Sequence, residues 1–208
     1  DGVFNLTTKS VSIFGNVITI NSGIINCVSV STCETSVYAS DILTINGGII
    51  NLKAVIPENE TGSAGNIYAG RFIMNDGYLS CESEREYCLG KIGYFFDYYG
   101  GQLKLKANGT STKAWCCTEF YDKSAGATKK AGTSADGTSL TDFDIANAAS
   151  YKYVEFSKPI TATIKNVDNP PSVNFKAGDK ITLTATEMEY KNFIGWRTVG
   201  CEAADPKS

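Results

Sequence analysis

Leu43-Thr-Ile-Asn-Gly-Gly-Ile-Ile-Asn-Leu52 repeats, almost residue for residue, the earlier stretch Ile18-Thr-Ile-Asn-Ser-Gly-Ile-Ile-Asn-Cys27. Two further copies follow. They are Phe72-Ile-Met-Asn-Asp-Gly-Tyr-Leu-Ser-Cys81 and the degenerate Phe96-Asp-Tyr-Tyr-Gly-Gly-Gln-Leu-Lys-Leu105. The shared glycine falls at 23, 48, 77 and 101, in steps of 25, 29 and 24 residues. Within a unit Leu43, Ile45, Ile50 and Leu52 alternate with Thr44 and Asn51, the period-2 pattern of a half-buried strand. Asn46-Gly47-Gly48 between them tolerates positive φ and marks a sharp bend. Each unit therefore reads as strand, turn, strand.

Two architectures satisfy that pattern. In a hairpin the two strands of one unit pair antiparallel. In a parallel β-helix each unit is one coil, and equivalent strands of successive coils pair. A fixed repeat of 20–30 residues favours the solenoid. It predicts one inward ladder of Ile20, Ile45, Met74 and Tyr98, and another of Ile25, Ile50, Leu79 and Leu103. Asn21, Asn46 and Asn75 would form a turn ladder, bonded amide to amide. The expected fold is all-β: a right-handed parallel β-helix of four or five coils, its last coils irregular, with a small C-terminal β-grasp-like or capping module. The excursion 57–66 (Pro-Glu-Asn-Glu-Thr-Gly-Ser-Ala-Gly-Asn) accounts for the longer step. Ser83-Glu-Arg-Glu86 reads as a charged turn, and the Gly/Ser/Thr-rich stretch 124–141 reads as loose.

Composition narrows function by exclusion. The 208 residues contain no histidine, which removes a Ser-His-Asp triad, a Cys-His dyad and a His-ligated metal. A formal charge of -3 and three arginines offer no basic stripe for phosphates, so no nucleic-acid partner is expected. No run is long enough to span a membrane. The start at Asp1 reads as a mature chain or an excised fragment. The seven cysteines (27, 33, 81, 88, 116, 117, 201) form no C-x-x-C pair. Cys27/Cys33 and Cys81/Cys88 could close small disulfide loops, or the thiols could be buried small hydrophobes. Cys27 and Cys81 occupy the repeat position that Leu52 and Leu105 hold elsewhere, which makes those two core residues. Asn5, Asn59 and Asn108 begin Asn-x-Ser/Thr triplets, a pattern common by chance.

Beyond Leu105 the chain changes character. Tyr151-Lys-Tyr-Val-Glu-Phe156 reads as a strand, and Asn169-Pro-Pro-Ser172 as a turn or linker. Lys130-Ala-Gly-Thr-Ser-Ala-Asp136 followed by Tyr151–Phe156 resembles the closing segment of repetitive surface proteins of anaerobic gut Firmicutes. Those proteins carry many strand-Gly-Gly-strand units. Ala177-Gly-Asp-Lys-Ile-Thr-Leu-Thr-Ala-Thr186 with Phe193-Ile-Gly-Trp196 resembles the divergent internalin-B-type repeat, in which Trp196 would anchor the core. The module usually continues for a further strand or two, so here it is incomplete or is finished by another segment. The resemblance implies two domains, 1–157 (β-solenoid repeats) and 158–208 (internalin-B-repeat-like module). It implies an extracellular, secreted or surface-attached location, and other domains of a larger polypeptide as neighbours.

The expected function is a non-catalytic surface or adhesion module, a stalk or a scaffold that binds glycan or a host or neighbour surface protein. The alternative is a polysaccharide-acting β-helix enzyme, a lyase or glycosidase, which needs paired carboxylates. Asp41 precedes its unit, Asp76 sits in a turn and Asp97 lies in a strand, so their registers differ. No catalytic residue, metal site or cofactor is assigned. Tyr94-Phe-Phe-Asp-Tyr-Tyr99 holds five aromatic residues in six positions. Neighbours in a strand face opposite ways, so if Phe96 and Tyr98 point inward, Phe95 and Tyr99 point out. Phe95, Tyr99 and Tyr94 are the candidate ligand-binding residues. The competing expectation is an aromatic end-layer with Trp115 and Phe120.

Overall fold

The computed structural model describes residues 2–30, 35–56, 65–84, 86–90, 95–158, 160–162 and 173–175. By Cα proximity the chain divides into two units, 1–158 and 159–208. In the first unit β2 (Ile13–Ile20) and β3 (Ile24–Val30) flank the first repeat turn. So do β4 (Val37–Ile45) with β5 (Ile49–Val55), and β6 (Ile67–Met74) with β7 (Tyr78–Ser83). In the fourth coil β8 (Tyr87–Leu89) and β9 (Phe95–Tyr98) precede β10 (Gln102–Ala107). The two strands of one unit lie in different sheets, so the unit is not a hairpin. β2, β4, β6 and β9 pair in parallel in one sheet, and β3, β5, β7 and β10 pair in parallel in the other. The result is a β-solenoid of about four turns.

Local chemistry explains the bend. Gly23, Gly48, Gly77 and Gly101 have φ between 85 and 92°, which L residues adopt only at a cost. Space is also lacking: a Cβ on Gly48 would lie 2.7 Å from the Gly23 carbonyl oxygen of the coil before. The repeat therefore needs glycine twice over, for the dihedral and for the close stacking of turns.

Inside, side chains stack coil on coil in register. Ile20, Ile45, Met74 and Tyr98 are consecutive partners and all buried. Ile25, Ile50, Leu79 and Leu103 form the facing ladder, with Ile25 half-buried. Cys27, Leu52, Cys81 and Leu105 form a third, fully enclosed. Burying one such Leu, Ile or Met side chain contributes about 1.5–3 kcal/mol, so these ladders are the main cohesive term. Cys27, Cys81, Cys88, Cys116 and Cys117 are free thiols, so Cys81 and Cys88 do not close a loop. Cys33 lies outside the described residues. Burial pushes the thiols up, Cys88 to about 12 and Cys116 to about 11.

Asparagines tie the turns together. The Asn46 amide donates to Asn21 Oδ1 at 2.8 Å, and Asn75 donates to Asn46 Oδ1 at 2.7 Å. A second ladder goes beyond the expected one: Asn26 donates to Asn5 and Asn51 to Asn26, each at 2.9 Å. Asn5 belongs to β1 (Val3–Thr8), which pairs in parallel with β3 so that Asn5 opposes Asn26. Gly2-Val-Phe-Asn-Leu6 is thus the second half of a repeat unit one coil earlier.

Three further departures from the sequence pattern matter. First, β4 carries a bulge at Ser40-Asp41, opposite the single residues Asn16 and Gly70. Gly70 permits it, since a Cβ there would sit 2.8 Å from the Asp41 carbonyl oxygen. Second, the stretch 124–141 is not wholly loose, because it contains β13 (Thr128–Gly132). Third, the parallel order ends after β10. β15 (Tyr153–Ser157) pairs antiparallel with β10 and with β13, and β14 (Thr141–Asp142) follows at the edge. β11 (Lys113–Trp115) and β12 (Glu119–Asp122) extend the other sheet in parallel. A 3-10 turn, Ile145–Ser150, starts on an Asp144 side chain that accepts from the Ala146 N–H.

Phe96, Trp115, Phe120, Phe143 and Phe156 close this end of the core, with ring centroids 4.8–5.7 Å apart in neighbouring pairs. In the second unit β16 (Ile160–Ala162) pairs antiparallel with β17 (Val173–Phe175). The segments 177–186 and 193–196, on which the module assignment rests, lie outside the described residues.

Candidate ligand groove

The row Phe95–Tyr99 splits by face. Phe96 and Tyr98 are fully buried, while Phe95 is 39% and Tyr99 41% exposed. The segment thus carries an aromatic end-layer on one side and two exposed rings on the other. Inward, Phe96 stacks on Phe72 at 4.6 Å and Tyr98 meets Phe156 at 5.2 Å. The Tyr98 hydroxyl donates to the Gly101 carbonyl at 2.7 Å, locking the strand onto its own turn. Tyr94 lies outside the described residues.

Outward, the ladder positions bring charges from three coils together. Arg71 on β6 pairs with Phe95 on β9, and the next row but one sets Ile73, Asp97 and Tyr121 side by side. Past the end of β12, the Lys123 N–H donates to the Tyr98 carbonyl at 2.8 Å, which aims its side chain back over the row. Asp97 is covered by two cations. Arg71 Nε donates to its Oδ2 at 2.5 Å, and Lys123 Nζ donates to its Oδ1 at 2.8 Å. Lys123 Nζ also donates to the Tyr99 hydroxyl at 3.0 Å and stands 4.9 Å from the Tyr99 ring centroid, within cation–π range. The Tyr121 hydroxyl donates to Glu119. Arg71, Phe95, Asp97, Tyr121 and Lys123 line an open groove of about 490 Å³ together with Asp41 and Gly70, and Tyr99 lies outside that lining, held to it through Lys123.

Electrostatics fix the charge state. Burial pushes the Asp97 carboxyl up, but hydrogen bonds and charge from Arg71 and Lys123 outweigh it and hold it below its usual range. The hydrogen bond to Asp97 raises both Arg71 and Lys123. At neutral pH the triad is two cations around one carboxylate whose two oxygens are both engaged. Such a carboxylate is a poor proton donor or acceptor.

The three aspartates singled out in the sequence separate as their registers imply. Asp76 accepts from the Gly77 N–H in its own turn. Asp41 lies two strands and three residue steps from Asp97, about 12–14 Å between backbones by strand spacing and rise. Among the described residues no group of three His, Cys, Asp or Glu could hold a metal ion.

Arg71, Tyr121 and Lys123 are not among the residues that the sequence singles out. Arg71 has a signal in hindsight, since its ladder position holds Val17, Ile42 and Phe95 in the other coils. Tyr121 and Lys123 belong to a coil whose turn departs from the repeat, its positive-φ glycine, Gly126, standing one residue later than the Gly101 position. Only Phe120, opposite Phe96, marks its register.

A second aromatic row lies on the same sheet. Phe14 stacks on Tyr38 at 5.4 Å, and Tyr38 on Tyr68 at 4.6 Å, with planes 15° and 8° apart. Rings stacked face to face spend their faces on one another, so this row works as a surface zipper between coils. No family model matches the chain, and neither a curated protein nor a solved structure matches it.

Proposed function

We propose that the chain is a non-catalytic surface or adhesion module whose rigid solenoid presents the outer groove beside Phe95 and Tyr99 to a saccharide. The observation that carries this is the groove itself. Aromatic rings exposed beside fixed hydrogen-bond donors, on a backbone held by stacked coils, suit a sugar ring with its apolar face and polar rim. Loop-borne sites would need ordering on binding, whereas this one is built on paired strands. The extracellular, surface-attached location, and the larger polypeptide to which the chain would belong, are what the resemblance of 130–136 with 151–156, and of 177–186 with 193–196, to surface-protein segments implies.

The lyase or glycosidase alternative gains no support from the groove. Carboxylate-based glycoside cleavage uses two carboxyl groups about 5–9.5 Å apart, and the groove's nearest candidates are Asp41 and the engaged Asp97. The test is a glycan array read with the wild type and with Phe95→Ala and Tyr99→Ala. Binding of a glycan that both substitutions weaken at least several-fold, with unchanged circular dichroism, is the expected result. Absence of binding to every glycan would leave a spacer or a protein-binding module.

A further inference from the structure

We infer that the groove selects an acidic saccharide of the uronate type, whose carboxylate seats on the free edge of the Arg71 guanidinium. The inference rests on the saccharide-binding proposal and narrows it.

Arg71 engages Asp97 through Nε alone. Its two terminal amino groups make no hydrogen bond among the described residues, and the side chain is 49% exposed. Two parallel N–H groups on one planar edge match the two oxygens of a carboxylate. The Arg71 backbone stands in a row between Ile42 and Phe95, and its side chain shares the groove lining with the exposed Phe95 ring.

Hydrogen-bond supply at the triad points the same way. The triad of Arg71, Lys123 and Asp97 carries one surplus positive charge. The Asp97 carboxylate is engaged by both cations and its side chain is fully buried, so the triad offers the groove donors and no accessible acceptor. A neutral sugar ring needs donors and acceptors together, whereas a carboxylate needs donors only. Asp41 also lines the groove and offsets that surplus in formal charge, so selection rests on the Arg71 fork, while the Asp41 carboxylate can accept from a ring hydroxyl. The volume of about 490 Å³ falls within the roughly 300–1,000 Å³ of small-molecule sites.

Isothermal titration of the whole chain at low salt tests this with four probes. They are an oligogalacturonate, its methyl ester, a neutral glucan oligomer and a sulfated galactan oligomer. The expected result is that the oligogalacturonate binds at least ten-fold tighter than its ester and weakens as salt rises. Arg71→Lys, which keeps a cation on Asp97 but lacks the fork, should lose about ten-fold. Equal binding of acid and ester overturns the inference while leaving a saccharide groove. Tighter binding of the sulfated oligomer overturns the assignment to a carboxylate. Binding of no probe, combined with an empty glycan array, removes the saccharide proposal and this inference with it. The acid–ester comparison uses wild-type protein, so it stands even if Arg71→Lys does not fold.

Discussion

At the Val3 end of the solenoid, β1 and β2 are the outermost strands of their sheets, and Val3, Phe4, Phe14 and Val17 are each more than half exposed. At the other end β15 turns back antiparallel against β10, and Trp115, Phe143 and Phe156 lie across the core. The coils between share one chemistry, so the contrast turns on what happens to the repeat after Leu105. A parallel coil presents the same ladder edge that it received, with backbone groups, amide and apolar side chain all in place. It templates another coil and cannot end itself. Degeneration of the repeat after Leu105 is what ends it. After the Gly126 turn, β13 is held off β10 by β15, which inserts antiparallel between them, and enlarging the inward ladder from Ile18 and Leu43 through Phe72 to Phe96 meets a lid of rings.

Truncating the lid should have the largest effect. Trp115 is 1% exposed, and its indole N–H donates to the Cys117 carbonyl at 2.9 Å. Trp115→Ala should cost about 3–5 kcal/mol in urea denaturation, whereas Val3→Ala at the other end, where the side chain is 60% exposed, should stay within about 0.5 kcal/mol. Equal losses at the two ends would break the contrast. Next come the turns. Gly48→Ala combines positive φ with a backbone clash and should cost about 2–3 kcal/mol. Gly126 has φ 73°, but a Cβ added there would meet nothing within 4 Å, so Gly126→Ala should cost only about 1 kcal/mol.

The amide ladders give a smaller, graded effect. Asn46 is bonded on both sides and Asn5 on one. Asn46→Ala should cost about 1 kcal/mol, and Asn5→Ala about half as much, since each neutral bond nets around 0.5–1.5 kcal/mol at most. A pH titration tests the triad. Asp97 is depressed from its ordinary 3.8 in the folded chain, so the folded state binds fewer protons there than the unfolded. Its stabilisation is present above that ordinary value and is lost as pH falls through the lower folded value. Asp97→Asn should flatten the acid limb of a thermal-melt series, and an unchanged limb would contradict the ion triad.

Much of this is legible in the sequence, for a physical reason. Parallel stacking places residues one repeat apart in contact, so Ile18–Cys27 beside Leu43–Leu52 already states the register. The ladder of Asn21, Asn46 and Asn75 and the in–out split of Phe95 to Tyr98 follow from it. What escapes is contact not carried by the repeat. The bulge at Ser40-Asp41 is an extra residue whose position depends on both neighbouring strands. Arg71, Asp97 and Lys123 meet only once the fourth coil is aligned with a fifth whose turn glycine, Gly126, is shifted by one residue and which lacks the rest of the repeat motif. The antiparallel turn of β15 has no signal, because Tyr151–Phe156 alternates equally well in either direction. Gly2-Val-Phe-Asn-Leu6 is easily overlooked, as it shows only half a unit.

Nuclear Overhauser contacts in the labelled protein test the central claim most directly. The stacked-coil register predicts that the Asn46 side-chain amide sees those of Asn21 and Asn75, 25 and 29 residues away. It also predicts slow exchange of the Asn46 and Asn75 backbone amides, which donate to the Ile20 and Ile45 carbonyls at 2.8 Å. Cross-strand contacts between Leu43–Ile45 and Ile49–Leu52 of the same unit, with none between units, would mean hairpins and would contradict the solenoid.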